Sequence, residues 1–315
     1  MKPQVSVVLL NYKNSGETLE CLSSLETQSY ANFEVVVIDN GSGPEEVQSL
    51  EERALQAGLD LRLIALHKNR GATGGRNEGV KHARGDYLAF LDSDTIVDRD
   101  WLQELIRPFL QDRSQEIGAT TSTVLNFFQR DQVEYGGHSR INVLGQARAA
   151  VTVEPAGDTR VVAGASFLLP RSVIDEIGEV NCSAYFFWWE EMDLSWRICT
   201  HGYRVAYVPA STVFHRVTSR STRQGLDPVP LMTRNKYLTF YRNLPHAKFL
   251  VVLPLLLSYD LVVGMGYLLL RRDPRFLQAK LKGVAQFVRA IGEVPHIGGG
   301  ALSYLDRRVY MDKLG

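Results

Sequence analysis

The chain has 315 residues, 45% of them hydrophobic, and its 35 basic and 35 acidic side chains cancel to a formal net charge of zero. That length suits one large α/β domain with extensions, and the apolar share is enough for a sizeable core. A balanced charge excludes a global field that recruits nucleic acid, so any anionic ligand must be held by local groups.

Val5 to Leu10 is a β-branched apolar run and reads as a buried strand. Asn14 with Glu17 three residues later resembles a capping box and predicts a helix through about Thr27. Phe33 to Ile38 reads as a second strand, Pro44 to Ala57 as a helix and Leu61 to Leu66 as a third strand. Gly71 to Gly79 leads into a helix ending near Arg84-Gly85. Tyr87 to Leu91 is a fourth strand, and Asp98 is placed to cap a helix from Arg99 to about Leu110. Strands apolar throughout, alternating with helices, predict a mostly parallel sheet covered on both faces. Ligands bind such sheets at the carboxyl ends of the strands. Four of those ends carry polar or glycine-rich residues: Asn11-Tyr12, Asp39-Asn40, Asn69-Arg70-Gly71 and Asp92-Ser93-Asp94.

After Phe127 the pattern loosens into a meander of short strands as far as Val162. Gly164 to Leu169 is a strand, Pro170 to Ile177 a short helix, and Glu190 to Thr200 a helix closed by Gly202. Tyr203 to Val208 is a late strand that leads to His215, and Val217 to Pro230 reads as a mobile loop. Phe249 to Leu270 is apolar apart from Asp260, with Lys248 before it and Arg271-Arg272 after. Its length would serve a membrane span, but Pro254 and Asp260 count against a simple one. A span, an interfacial helical hairpin and a dimer interface are the three readings, and the hairpin is expected. Cys21, Cys182 and Cys199 show no metal-type spacing and read as thiols of a reducing compartment. The start, MKPQVSVVLL, does not read as a signal peptide, so a cytoplasmic protein is expected.

Two carboxylates one residue apart at a strand end, Asp92 and Asp94, can grip a hard divalent cation through oxygen. Such a cation neutralises charge on a leaving diphosphate. Asp39 can accept from a base or ribose, and the Asn69 to Asn77 stretch lets backbone approach a nucleotide. In WWEEMDLSWR, Trp188 to Arg197, three carboxylates crowd a helix start. The helix dipole alone would favour them there. A carboxylate beside Trp188 and Trp189 is also a credible base with a sugar-stacking platform. His215 is a candidate third metal ligand.

Taken together, VSVVLLNYKN, VVVIDNGS, NRGATGGRNEG, YLAFLDSD, WWEEMDLSWR and VFH resemble the family 2 glycosyltransferases of the GT-A fold, and more narrowly the bacterial rhamnosyltransferase-like branch. They occur in the family's order between residues 5 and 215. The resemblance implies inverting transfer of a sugar from a nucleotide-diphosphate donor, with rhamnose favoured, to a lipid-linked or polysaccharide acceptor. It implies Mg2+ or Mn2+ held by Asp92, Asp94 and His215. It implies a donor site of Asn11, Tyr12, Asp39, Asn69, Gly71, Gly75, Asn77 and Asp92. Glu191 stands where the family usually has an Asp as base, which leaves the base between Glu191 and Glu190. Residues 1–225 would form the catalytic domain, with a donor half to 110 and an acceptor half from 111. Residues 226–315 would form a helical region that meets the inner membrane surface or a second subunit. A nucleotidyltransferase and a non-catalytic binding protein of the same fold are the alternatives.

Overall fold

The computed structural model describes residues 4–56, 58–216, 226–301 and 304–305. The first half alternates strand and helix: β1 (Val5–Asn11), α1 (Ser15–Leu25), β2 (Phe33–Asp39), α2 (Pro44–Gln56), β3 (Leu61–Ala65), α3 (Gly71–His82) and β4 (Tyr87–Asp92). Next come β5 (Thr95–Val97), α4 (Trp101–Gln111), β6 (Ile117–Asn126) and the short strands β7 (Val133–Tyr135), β8 (Arg140–Ile141), β9 (Ala147–Arg148) and β10 (Gly157–Thr159). β11 (Ser166–Pro170), α5 (Arg171–Ile177), α6 (Glu190–Thr200) and β12 (Arg204–His215) follow. The chain then forms α7 (Pro228–Asn243), α8 (His246–Arg271) and α9 (Arg275–Ala290).

The main sheet runs β10-β12-β6-β11-β4-β1-β2-β3. β3, β2, β1 and β4 are parallel. β11 is antiparallel to both β4 and β6, and β12 is parallel to β6. This is the mixed, mostly parallel α/β sheet of the GT-A glycosyltransferases, with a helical extension after it. Alternate residues of one strand serve opposite faces. Val5, Val7 and Leu9 pack with α1 and α4, whereas Val8 joins Phe90 and the apolar sides of α5 and α6. A third cluster joins α7, α8 and α9 to Trp189 and Trp196.

Several local expectations need correction. The Asn14 side chain makes no capping bond, and Ser15 N–H donates instead to Glu46 from α2. Asp100, not Asp98, occupies the N-cap of α4, because its carbonyl accepts the first helical bond, from Glu104 N–H at 2.9 Å. The glycine-rich stretch is itself helix from Gly71 onward. β6 was not foreseen, because Thr120, Thr121, Ser122 and Thr123 break any apolar pattern. They are nonetheless buried, and their hydroxyls find Leu105 O, Ser166 O, Ser166 Oγ and Tyr207 Oη at 2.6 to 2.9 Å. Satisfied hydroxyls can line a core strand. Of the expected loop from Val217 to Pro230, residues 217–225 lie outside the described residues, and Pro228 already opens α7.

The expected hairpin is also absent. α8 is one helix of 26 residues that runs through Pro254. Proline removes the bond to the carbonyl four residues back, here Leu250. Both residues are on the exposed side of the helix. Asp260 is buried against α7 and α9, where Lys236 and Lys280 meet it. It is therefore the paired carboxylate of a helix junction.

Candidate active site

β4 ends at Asp92, and the chain turns through Ser93 and Asp94 into β5. Ser93 Oγ donates to Leu10 O at 2.9 Å and Thr95 Oγ1 to Asp92 O at 2.6 Å, so the turn is pinned to the sheet. β5 pairs with the end of β12 and sets His215 opposite Thr95. The result brings Asp92, Asp94 and His215 together, with one ligand atom from each lying within 4.8 Å of the others. His215 Nε2 is 3.3 Å from Asp94 Oδ1 and 4.0 Å from Asp92 Oδ2. Two carboxylates and an imidazole suit a divalent cation such as Mg2+ or Mn2+. Burial lowers the imidazole pKa, but the hydrogen bond to Glu134 and the charges of Asp92, Glu134 and Glu17 outweigh it and raise it above the ordinary histidine value. A cation must displace that proton, so binding strengthens as pH rises.

Glu134 was not singled out in the sequence. It sits on β7, its Oε2 lies 3.2 Å from His215 Nδ1, and its Oε1 accepts from Asn126 Nδ2 at 2.8 Å. A carboxylate behind a ligating histidine fixes the ring and raises its basicity. Glu134→Gln should therefore weaken Mn2+ binding by roughly 10- to 100-fold in a calorimetric titration. Unchanged affinity would remove Glu134 from the centre.

Arg76 joins this group to the second acidic cluster. Its buried guanidinium donates to Asp92 Oδ1 at 3.1 Å, Glu191 Oε1 at 3.3 Å and Gly164 O at 2.9 Å. Burial opposes its charge, but Asp92, Glu191 and Glu190 outweigh that and raise its pKa. Gly164 leaves the space Glu191 needs, since a Cβ there would lie 2.2 Å from Glu191 Oε1. Glu191, Asp92, Glu134 and His215 share a cavity of about 410 Å3, with Arg140 and Arg148 in its wall. Those two arginines face each other across the β8–β9 ribbon.

Glu190 is oriented differently. It is buried, and its Oε2 has no hydrogen-bond partner. Burial and the neighbouring Glu191 push its pKa up to about 8, although Arg76 pulls the other way. Folded Glu190 thus keeps its proton over a range where the unfolded carboxyl, near 4.5, has lost it. Stability is drained as pH rises through that window. In metal-free protein, Glu190→Gln should gain on the wild type between about pH 5 and pH 8, by at most about 1.4 kcal/mol per pH unit. Thermal unfolding at both ends checks this, and parallel curves would contradict it.

The turn ahead of these carboxylates is held in an unusual conformation. Phe186, Trp188 and Trp189 have φ of 65°, 66° and 74°. Non-glycine residues persist there only when neighbours fix them. α7 does so: Asn235 Nδ2 donates to the carbonyls of Tyr185, Phe187 and Trp188 at 2.8 to 3.0 Å. Arg234 adds bonds to the carbonyls of Ala184 and Tyr185 at 2.7 and 2.8 Å. Trp189 is packed near Phe240, while Trp188 is half-exposed beside Phe187.

The expected donor residues occupy the adjoining strand ends. Asp39 is buried, and its two oxygens accept from Asn11 Nδ2 at 2.8 Å and Ser42 N at 3.0 Å. Asn11 also accepts from Thr18 Oγ1, and Tyr12 lies half-buried beside Lys13. Asn69 Oδ1 accepts from Gly71 N and Asn40 Nδ2, fixing the start of α3. Gly71 has φ +73°, and a Cβ there would lie 2.2 Å from Phe186 O. Gly75 packs on Leu10, and Asn77 exchanges hydrogen bonds with the backbone of Asn181. The three cysteines are free, and burial pushes the Cys21 thiol up to about 12.

The family model described as "Glycosyl transferase family 2" matches residues 6–178, more than half of the chain. The chain belongs to glycosyl transferase family 2. Among curated relatives of this family it is 28% identical over 224 residues to poly-beta-1,6-N-acetyl-D-glucosamine synthase of Staphylococcus aureus, covering 66% of this chain and 50% of that one. The Staphylococcus epidermidis synthase is 25% identical over 213 residues, covering 65% of this chain and 48% of that one. The chain thus spans about half the length of the curated relatives it matches. Solved structures share the fold. GalNAc-T7 with UDP, GalNAc and Mn2+ aligns with a TM-score of 0.63 at 21% identity, over 76% of this chain and 48% of that one. The mannosyltransferase PcManGT from Pyrobaculum calidifontis, with GDP-Man and Mn2+, gives 0.58 at 18%, over 93% and 76%. S. aureus TarS 1-349 with UDP-GlcNAc gives 0.61 at 16%, over 91% and 81%.

Proposed function

We propose that this protein is an inverting, metal-dependent glycosyltransferase that moves a hexose from a nucleotide-diphosphate donor to a glycan or glycolipid acceptor in cell-surface polysaccharide synthesis. The observation that carries the reading is one cavity lined by Asp92 and His215 of the cation centre and by Glu191, with Arg76 bridging Asp92 and Glu191. Asp92, Asp94 and His215 would hold the cation, which when bound supplies positive charge to the leaving diphosphate. Glu191 accepts the proton of the acceptor hydroxyl as its oxygen bonds the anomeric carbon and the bond to the diphosphate breaks. Attack from the face opposite the leaving group inverts that carbon. Arg76 fixes Glu191 relative to the cation centre, so the base and the leaving-group site keep one spacing. Glu190, buried and protonated near neutral pH, is the weaker candidate for the base.

The donor site in this reading is the neighbouring edge, with Asn11, Tyr12, Asp39, Asn69, Gly71, Gly75 and Asn77 shaping it and Asp92 shared with the cation. The named relatives carry N-acetylhexosamine or mannose in their names, so UDP- and GDP-hexoses join dTDP-rhamnose as candidate donors. Residues 1–225 form the catalytic region, and residues 226–315 hold it at the cytoplasmic face of a membrane. α8 supports the second part, because it is long and apolar enough to cross a bilayer and most of its surface is not buried. The test is thermal stabilisation by a panel of nucleotide sugars with and without Mn2+, since a bound donor raises the midpoint by mass action. A donor that stabilises only with metal supports the reading. A panel that never stabilises, with or without metal, would contradict it.

A further inference from the structure

We propose that the outer face of α8 and α9 docks on an anionic lipid bilayer, and that Lys236 and Asp260 relay that docking to the turn that carries Glu190 and Glu191. The docking sharpens the membrane reading above, and the relay adds a form of regulation to the same site.

α8 has two faces. Phe249, Val252, Leu256 and Asp260, spaced three or four apart, are buried toward the rest of the protein. Leu250, Val251, Leu261, Val262, Leu269 and Leu270 point outward, each more than half exposed. α9 adds Leu281 and Val288. Exposed apolar faces of this extent mark an interaction surface. Its rim is basic: Lys248, Arg271, Arg272, Lys282 and Arg289 are all exposed. The acidic residues of α8 and of its link to α9 do not offset this, because Asp260 is buried and Asp273 is paired with Arg275. The occupant follows from that charge. In a two-fold dimer the same patch faces itself, which would set cation against cation. An anionic leaflet complements both the apolar face and the basic rim. The helix lies in the membrane plane, because its buried face stays locked to α7 and α9.

That lock leads to the catalytic turn. Asp260 Oδ2 accepts from Lys236 Nζ at 2.8 Å and Tyr237 Oη at 2.9 Å, and its Oδ1 is 3.1 Å from Lys280 Nζ. The next residue toward the start of α7, Asn235, makes the three carbonyl bonds that hold residues 185–188. Adjacent side chains of one helix therefore grip the lipid-facing helix and the strained turn. Lys236 and Trp189 also border the same glycine: a Cβ on Gly145 would lie 2.4 Å from Lys236 Cδ and 3.2 Å from Trp189 Cη2. A second link runs from Tyr259 Oη of α8 to Gln146 Nε2, in the ribbon whose arginines line the active cavity. A shift of α8 on lipid thus reaches both walls of the site. Two sites are coupled when one element biases both, and α7 is that element here.

The experiment uses the full chain, phosphatidylcholine vesicles with and without phosphatidylglycerol, and two readouts that need no donor. Flotation reports docking. Tryptophan emission, read in a Trp196→Phe background because Trp196 packs in the same cluster as α7 and α8, reports the turn: Trp101 is fully buried in the sheet core, and Trp188 and Trp189 belong to the turn. The expected result is binding at least tenfold stronger with phosphatidylglycerol, weakened by salt, and a change in emission on binding. Leu261→Glu with Val262→Glu should abolish flotation. Asp260→Asn should float like wild type yet lose most of the emission change and any vesicle-dependent rise in donor turnover. If Asp260→Asn does not fold, Lys236→Met with Asp260→Leu, which replaces the pair by apolar groups, takes its place with the same expectation. No flotation on either vesicle, with a dimer in sedimentation, would overturn the docking. Flotation without an emission change, or an unchanged response in the Asp260 variant, would overturn the relay. If glycosyl transfer itself is absent, the two binding readouts still stand, so the failures are distinguishable.

Discussion

Glu191→Gln is expected to lower turnover by roughly two to four orders of magnitude, the usual worth of a positioned base. Donor and metal affinity should stay within a few-fold of wild type. The amide keeps the size of the side chain and its contact with Arg76 but cannot take a proton from the acceptor hydroxyl. Glu190→Gln should cost far less, because a carboxyl that already holds its proton resembles an amide. Pre-steady-state donor turnover with each variant separates the two. A crippled Glu190→Gln beside an active Glu191→Gln would move the base by one residue, and the cavity-facing assignment would fall.

Asp94→Ala is expected to abolish metal-dependent turnover and lower Mn2+ affinity by more than about 100-fold, since in the proposed centre it would be a direct ligand rather than a supporting one. Its side chain is fully buried 3.3 Å from His215. The fold should survive. Without a cation, Asp92, Asp94 and Glu134 crowd one imidazole, and removing one carboxylate relieves repulsion. The metal-free variant should therefore melt no lower than metal-free wild type while losing the stabilisation that Mn2+ gives. His215→Ala should weaken the metal less, because the paired carboxylates remain. Full activity of Asp94→Ala with Mn2+ would remove the cation from Asp92 and Asp94.

The grouping of Asp92, Asp94 and His215 was legible in the sequence because strand ends announce themselves. An apolar run that stops on carboxylates leaves them on the sheet's ligand-binding edge, and β12 delivers His215 to the same edge by pairing with β5. Glu134 was not legible. It lies in the meander, where short strands have no period to read, and only the folded pairing of β7 with β6 brings it behind His215. Arg76 was hidden for a related reason. It lies inside the glycine-rich stretch, but that stretch is helix, and the helix aims the guanidinium at three carboxylates. β6 escaped because its polarity is cancelled by partners far away in sequence. α8 was misjudged on Asp260, which looked costly in lipid until Lys236 and Lys280 were found beside it. Each miss involves a polar group whose partner lies on another element.

The most direct test of the central claim is product analysis with a stabilising nucleotide sugar and a glycan or glycolipid acceptor. The account predicts that Mn2+ or Mg2+ is required, that nucleoside diphosphate is released, and that the new linkage has the anomeric configuration opposite to the donor's. Release of pyrophosphate, retention at the anomeric carbon, or undiminished transfer in excess chelator would contradict it.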